Sequence, residues 1–245
     1  MIRTRQSRYS LFALGAAAAV LSACASTESV RNSKPIPSQS DRNSIMQFGK
    51  TDFDRLADVE MRENTQSLRG LMVKLYKRNP RELRKSTTKS AEEMATSIFE
   101  NNCDWRFKEI NEAQSTDAIQ QAFRPDFSGD RVLSLIVGMQ TMLIKAHGGK
   151  SEFYFTDTIE PQNIYNAARN LEIAVWKLSN ARDDKKQLYL LTNDLNSNEQ
   201  NLSFEREFGK IIGSLDLYAI TLSEKLQRNI IRVALTLATA LFLPI

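Results

Sequence analysis

Between Asp130 and Ala146 the chain presents Val132, Leu133, Leu135, Ile136, Val137, Met139, Met142, Leu143 and Ile144, which together cover every side of a helix. A helix that is apolar all round has no face for water and must be buried. Other elements therefore have to wrap it, and this stretch predicts the central helix of a helical core. Gly148-Gly149 stops it, since glycine accepts the left-handed backbone that ends helices. His147, the only histidine in the chain, falls at that end, where the partial negative charge of the helix terminus favours a cationic ring. The pattern assigns it a capping role.

The neighbouring segments read as helices packed round this one. Phe53, Leu56, Met61, Leu68, Leu71, Met72 and Leu75 recur at helical spacing, which predicts a helix from Asp52 to about residue 78. It ends before Pro80, which disfavours helix at Asn79. Pro80 then opens a short second helix as its first residue. Ser90 caps a third through Asn101, with Glu92 and Glu93 in its first turn. Residues 105–123 carry a weaker helical pattern. Pro161 starts a helix with Ile164, Ala168, Leu171, Val175 and Leu178 on one face. Residues 183–200 are polar, as a connection or an exposed helix. The clearest period runs through Phe204, Phe208, Ile211, Ile212, Leu215, Tyr218, Ala219, Leu222 and Leu226. Phe153-Tyr154-Phe155 reads as extended chain or as a loop packed on the core. Val233–Ile245 is uncharged, and 13 residues of helix span only about 20 Å, short of a bilayer core of about 30 Å. It is expected to be a core helix, with an interfacial or partner-binding segment as the other reading. No strand pattern stands out. The expected fold is all-α, an irregular helical bundle or helical array.

The N-terminal 50 residues have a different character. Arg3, Arg5 and Arg8 stand without an acid, Leu11–Val20 is apolar or small, and Leu21-Ser22-Ala23-Cys24 follows. A basic start, a short apolar run and small residues at a cut form a secretory pattern. The whole resembles a bacterial lipoprotein signal peptide with its lipobox. The resemblance implies removal of residues 1–23, a diacylglycerol on the sulfur of Cys24, and a further acyl chain on its freed amine. It also implies a protein of the bacterial cell envelope, tied to a membrane through the acyl chains on Cys24, with its domain in the periplasm. Ala25, where an Asp would retain such a protein in the inner membrane, favours the outer one. Residues 24–50 then form a lipidated tether rich in Ser, Asn and Gln with Pro35 and Pro37, too polar to bury a core. About 25 flexible residues span on the order of 25–30 Å. Residues 51–245 form the helical domain.

Charge narrows the partners. The signal segment holds three of the 33 basic residues and no acid, so the remaining 222 residues carry 30 basic against 29 acidic side chains. No global positive field is left to recruit nucleic acid. One local cluster stands out: Lys74, Lys77, Arg78, Arg81, Arg84, Lys85 and Lys89, opposed only by Glu82. It reads as a solvated surface or as a patch for anionic headgroups, lipopolysaccharide phosphates or an acidic partner.

Candidate chemistry is sparse. One histidine excludes multi-histidine metal sites. Gly149-Lys150-Ser151 imitates the end of a phosphate loop, but Ile144 stands where the first glycine belongs and a helix precedes it. Glu92-Glu93, Asp183-Asp184 and Glu205 with Glu207 are acid pairs in polar settings. Cys103, between Phe99 and Trp105, reads as a buried thiol or as one that pairs with another chain. No catalytic residue, metal or cofactor is assigned. The expected role is a non-catalytic binding, accessory or assembly factor with a protein partner in the envelope. A cell-wall glycan- or peptide-cleaving enzyme and a lipid-binding or lipid-shuttling domain are the alternatives.

Overall fold

The computed structural model describes residues 51–101, 104–150, 152–154, 158–192, 194–196, 199–201, 203–232 and 241–245. Cys24 with the signal and tether segments, Cys103, Ser151, Phe155 and residues 233–240 lie outside the described residues. Seven α-helices follow in order: α1 (Asp52–Arg78), α2 (Pro80–Ser86), α3 (Ala91–Asn101), α4 (Ser115–Ala122), α5 (Arg131–Ala146), α6 (Pro161–Asn180) and α7 (Ser203–Leu226). The fold is all-α. A hairpin of two three-residue strands, Asp194–Asn196 and Glu199–Asn201, sits in the connection before α7.

Helix α5 is the centre, as its sequence requires. Every residue from Arg131 to Leu143 is buried, and α1, α4 and α6 pack round it. Two polar residues inside it serve α4. Ser134 Oγ donates to the Ala118 carbonyl at 2.8 Å, and Thr141 Oγ1 accepts the Ser115 N–H at 2.6 Å. That N–H is one of the unpaired donors at the start of a helix. Gly138 lets the two helices touch, because a Cβ there would meet the Ile119 nitrogen at 2.7 Å.

Local start and stop signals bound the helices. Thr51 and Asp54 form a reciprocal cap on α1, with Asp54 N–H to Thr51 Oγ1 at 3.3 Å and Thr51 N–H to Asp54 Oδ2 at 2.7 Å. Asn79 and Pro80 separate α1 from α2, and Asn79 also grips a distant strand of chain. Its Nδ2 donates to the Leu191 carbonyl at 2.9 Å and its Oδ1 accepts the Leu191 N–H at 2.8 Å. Ser90 and Glu93 cap α3 in the same reciprocal way. Gly148 and Gly149 both take φ +79° after α5, a conformation open to glycine at no steric cost.

Three expectations are corrected. Residues 105–123 are not one helix. A 3-10 turn at Lys108–Ile110 precedes α4, and Trp105, Asn111, Glu112 and Ser115 all have positive φ, which breaks a right-handed helix. Leu56, expected in the α1 stripe, is 41% exposed, while Met61, Leu68, Leu71, Met72 and Leu75 are buried. The C-terminal apolar run does not end as a core helix. Leu241–Ile245 is without helical structure and runs along α6, held by side-chain amides, with Phe242 and Ile245 packed against the core.

Candidate functional site

Two clusters of buried polar groups combine titratable side chains. In the first, α1 supplies Glu60 and Asn64, the end of α5 supplies His147, and α7 supplies Ser214 and Tyr218. His147 caps α5 as expected: its N–H reaches the Leu143 carbonyl at 3.1 Å, and its ring Nδ1 lies 2.8 Å from the same oxygen. Its Nε2 lies 2.9 Å from Glu60 Oε2, with both side chains almost wholly buried. Those two atoms meet at ion-pair distance without the alignment of a full hydrogen bond. Glu60 Oε1 accepts from Asn64 Nδ2, and Asn64 Oδ1 accepts from Ser214 Oγ at 2.8 Å.

Nδ1 faces a carbonyl oxygen and so carries hydrogen. Aromatic rings seal the pair: Tyr218 stacks on His147 at 5.7 Å between centroids and 6° between planes, and Phe153 lies at 5.6 Å. Burial, with the nearby Glu60, Asp54 and Asp58 carboxylates, pushes the Tyr218 phenol far above its ordinary range. Phe153 is held by its own N–H to Asp58 Oδ1 at 3.0 Å.

The second place is the start of α5. Asp130 is 1% exposed. Its Oδ1 accepts the Leu133 N–H at 3.0 Å, and its Oδ2 accepts from the Tyr76 hydroxyl and from Ser86 Oγ, each at 2.8 Å. Burial raises the Asp130 carboxyl above the usual carboxylate range, against the pull of those donors. Beside it, the Arg131 guanidinium donates to the carbonyls of Ala122, Arg124 and Phe127 at 2.7, 2.9 and 2.7 Å. It lies over the Tyr189 ring at 4.3 Å. Burial pulls its pKa down. Both places tie helices together, with their polar atoms directed at protein partners.

The basic cluster falls at the corner of α1 and α2. Lys74 pairs with Glu207 at 3.6 Å, Lys77 with Glu92 at 2.5 Å, and Lys85 with Glu82 at 2.8 Å. The Lys77 bond lowers the Glu92 carboxyl below its usual range. Arg78 is half-buried and also has a partner. Arg81, Arg84 and Lys89 are exposed, and among the described residues neither Arg81 nor Arg84 forms an ion pair. The acid pairs are dispersed. Glu93 belongs to the α3 cap, Asp183 accepts the N–H groups of Lys185 and Gln187 in a turn, and Glu207 meets Lys74 and Lys210. Among the described residues no group of three His, Cys, Asp or Glu side chains is set to hold a metal, and no helix is long and apolar enough to cross a membrane.

Glu60 and Asn64 escaped the sequence reading. Their signal is two polar residues four apart inside the apolar face of α1, which places both on the side facing the core. No protein-family model matches the chain, and no curated protein or solved structure is similar to it.

Proposed function

We propose that the chain is a membrane-anchored lipoprotein of the bacterial envelope whose helical domain works by binding, as an accessory or assembly factor facing the periplasm. The observation that carries this reading is Leu21-Ser22-Ala23-Cys24, placed directly behind three arginines and an apolar run. One acyl chain holds a protein to a membrane only marginally, and two or more hold it stably. Lipidation of Cys24 therefore makes the membrane a permanent partner, and the domain acts on whatever shares that surface.

The buried chemistry supports binding over catalysis. The one histidine and the buried carboxylates of Glu60 and Asp130 are engaged with helix ends and with each other. A general acid or base must reach a substrate proton within hydrogen-bond distance, whereas these groups face packed helices. The exposed arginines at the α1–α2 corner add a surface suited to anionic headgroups or an acidic partner.

The test is Cys24→Ser in the producing cell. A serine hydroxyl does not replace the thiol as acyl acceptor. The variant is expected to persist as uncleaved precursor and to take up no palmitate analogue, while the unaltered chain is labelled. Label retained on the serine variant overturns the anchor. Release of soluble fragments from isolated cell wall by the purified chain overturns the binding role.

A further inference from the structure

Along α6, Gln162, Asn166 and Asn170 stand four residues apart, so their amides rise in one row on one helix face. All three amides are engaged with the main chain of the C-terminal region. Asn170 Nδ2 donates to the Leu243 carbonyl at 2.9 Å, and its Oδ1 accepts the Leu243 N–H at 2.6 Å. Asn166 Nδ2 donates to the Pro244 carbonyl at 2.9 Å, and its Oδ1 accepts from Gln162 Nε2 at 2.8 Å. Gln162 brackets Ile231 with a second two-point pair, Nε2 to the carbonyl at 3.2 Å and Oε1 from the N–H at 2.8 Å.

A two-point pair of this kind presents the donor and acceptor that a neighbouring strand offers. It contacts only backbone, so it accepts many sequences, provided the held residue has a free N–H. Selectivity comes from the flanking residues: Phe242 and Ile245, on either side of the held pair, pack against the core. The row thus reads extended backbone with apolar side chains. It also demands an occupant, because Asn170 is fully buried beneath the tail and a buried amide without partners is costly. The occupant is lightly attached. Leu241 is 83% exposed, and Leu241–Ile245 has no helical structure, which places it among segments that open locally at little cost.

We infer that the α6 amide row is a binding site for an extended apolar peptide, occupied in cis by residues Leu241–Ile245 and opened to a partner segment of the same chemistry when they are displaced. This deepens the binding role proposed above by naming its partner class, and it holds whether or not Cys24 carries lipid. The resident tail competes as a tethered ligand at high effective concentration, so the unaltered chain binds a free peptide weakly.

The experiment uses the full chain in detergent and a labelled peptide with the sequence of Leu241–Ile245, followed by fluorescence anisotropy. Changing Phe242 and Ile245 to Ser in the full chain removes the competitor's anchors and is expected to tighten peptide binding by about tenfold or more. Asn170→Ala in that background, or N-methylation of the peptide at the position of Leu243, reverses the gain. A helical, normally melting Ser variant that binds the peptide no better than the unaltered chain overturns the inference, as does equal binding of the N-methylated peptide. If the Ser variant loses its helical signal, hydrogen exchange on the unaltered chain decides. Excess peptide is expected to speed exchange of the Leu243 N–H several-fold, and unchanged protection overturns the inference. A lipidation result at Cys24 moves none of these readouts.

Discussion

His147 Nε2 lies 2.9 Å from Glu60 Oε2 while its Nδ1 faces the Leu143 carbonyl at 2.8 Å, so a single ring bridges the end of α5 to the middle of α1. Removing one member of such a buried pair leaves an uncompensated charge and costs about 3–5 kcal/mol, whereas replacing both with apolar groups of similar size is often close to neutral. His147→Leu and Glu60→Leu are each expected to destabilise by that order, and the double variant by clearly less than their sum. Denaturant unfolding of the four proteins in a double-mutant cycle checks this. Strict additivity would show that the two side chains do not interact.

Asp130 gives the pH prediction. Burial raises its carboxyl in the folded state, so the native chain holds this proton more tightly than the unfolded one. Where the native state binds more protons, stability falls as pH rises. The loss begins near the ordinary carboxylate value of about 4 and is complete above the raised folded value. Asp130→Asn keeps an oxygen for the Leu133 N–H and removes the desolvated charge. Its stability relative to the parent is expected to increase as pH rises from about 4, as read from melting curves across that range. A pH-independent difference would contradict the assignment. Asp130→Ala loses the cap at every pH, a cost of about 1–2 kcal/mol.

Gly138 is the contact point of α4 and α5. A side chain there meets the Ile119 nitrogen, the Ser115 carbonyl oxygen and Ile119 Cγ1, all under 3.0 Å. Two of the three are backbone atoms and cannot rotate away. Gly138→Val is therefore expected to cost about 1–3 kcal/mol or more through overpacking, despite the better intrinsic helix propensity of valine. An unchanged melting temperature would mean that α4 does not sit against α5 as described.

The corner of α1 and α2 is tested by replacing Lys77, Arg81, Arg84 and Lys89 with Gln. All four are exposed, so stability should change little. Association of the full chain's domain with anionic vesicles should weaken by about 1 kcal/mol per residue near the surface, most clearly at low salt. Identical, salt-insensitive binding by parent and variant would leave the cluster as a solvated face.

The sequence made α5 and α7 legible because burial leaves a direct trace there. The first is apolar all round, and the second carries a continuous stripe through Phe204, Leu215 and Leu222. Caps were legible at Asn79-Pro80, Ser90 and Gly148 because those residues act locally. The interruption between Trp105 and Ser115 was not, since left-handed backbone at Trp105 or Glu112 has no composition signal of its own. Leu241–Ile245, the described end of the apolar run, was misread for a physical reason. An uncharged apolar run suits a helix as well as a strap, and only the distant amides of α6 choose between them. The spacing of Gln162, Asn166 and Asn170 was visible in the sequence, but its meaning depends on what lies opposite. His147 was legible as a cap, while Glu60, its partner, is set by the packing of α1 on α5.

We propose that Cys24 carries lipid and holds a binding domain at a membrane, and intact-mass measurement of the chain extracted from the membranes of its own cells checks this. The expected species begins at Cys24 and exceeds the mass of residues 24–245 by a diacylglycerol and a further acyl chain. A membrane-extracted species that begins at Met1, or one that begins at Cys24 with no added mass, would contradict it.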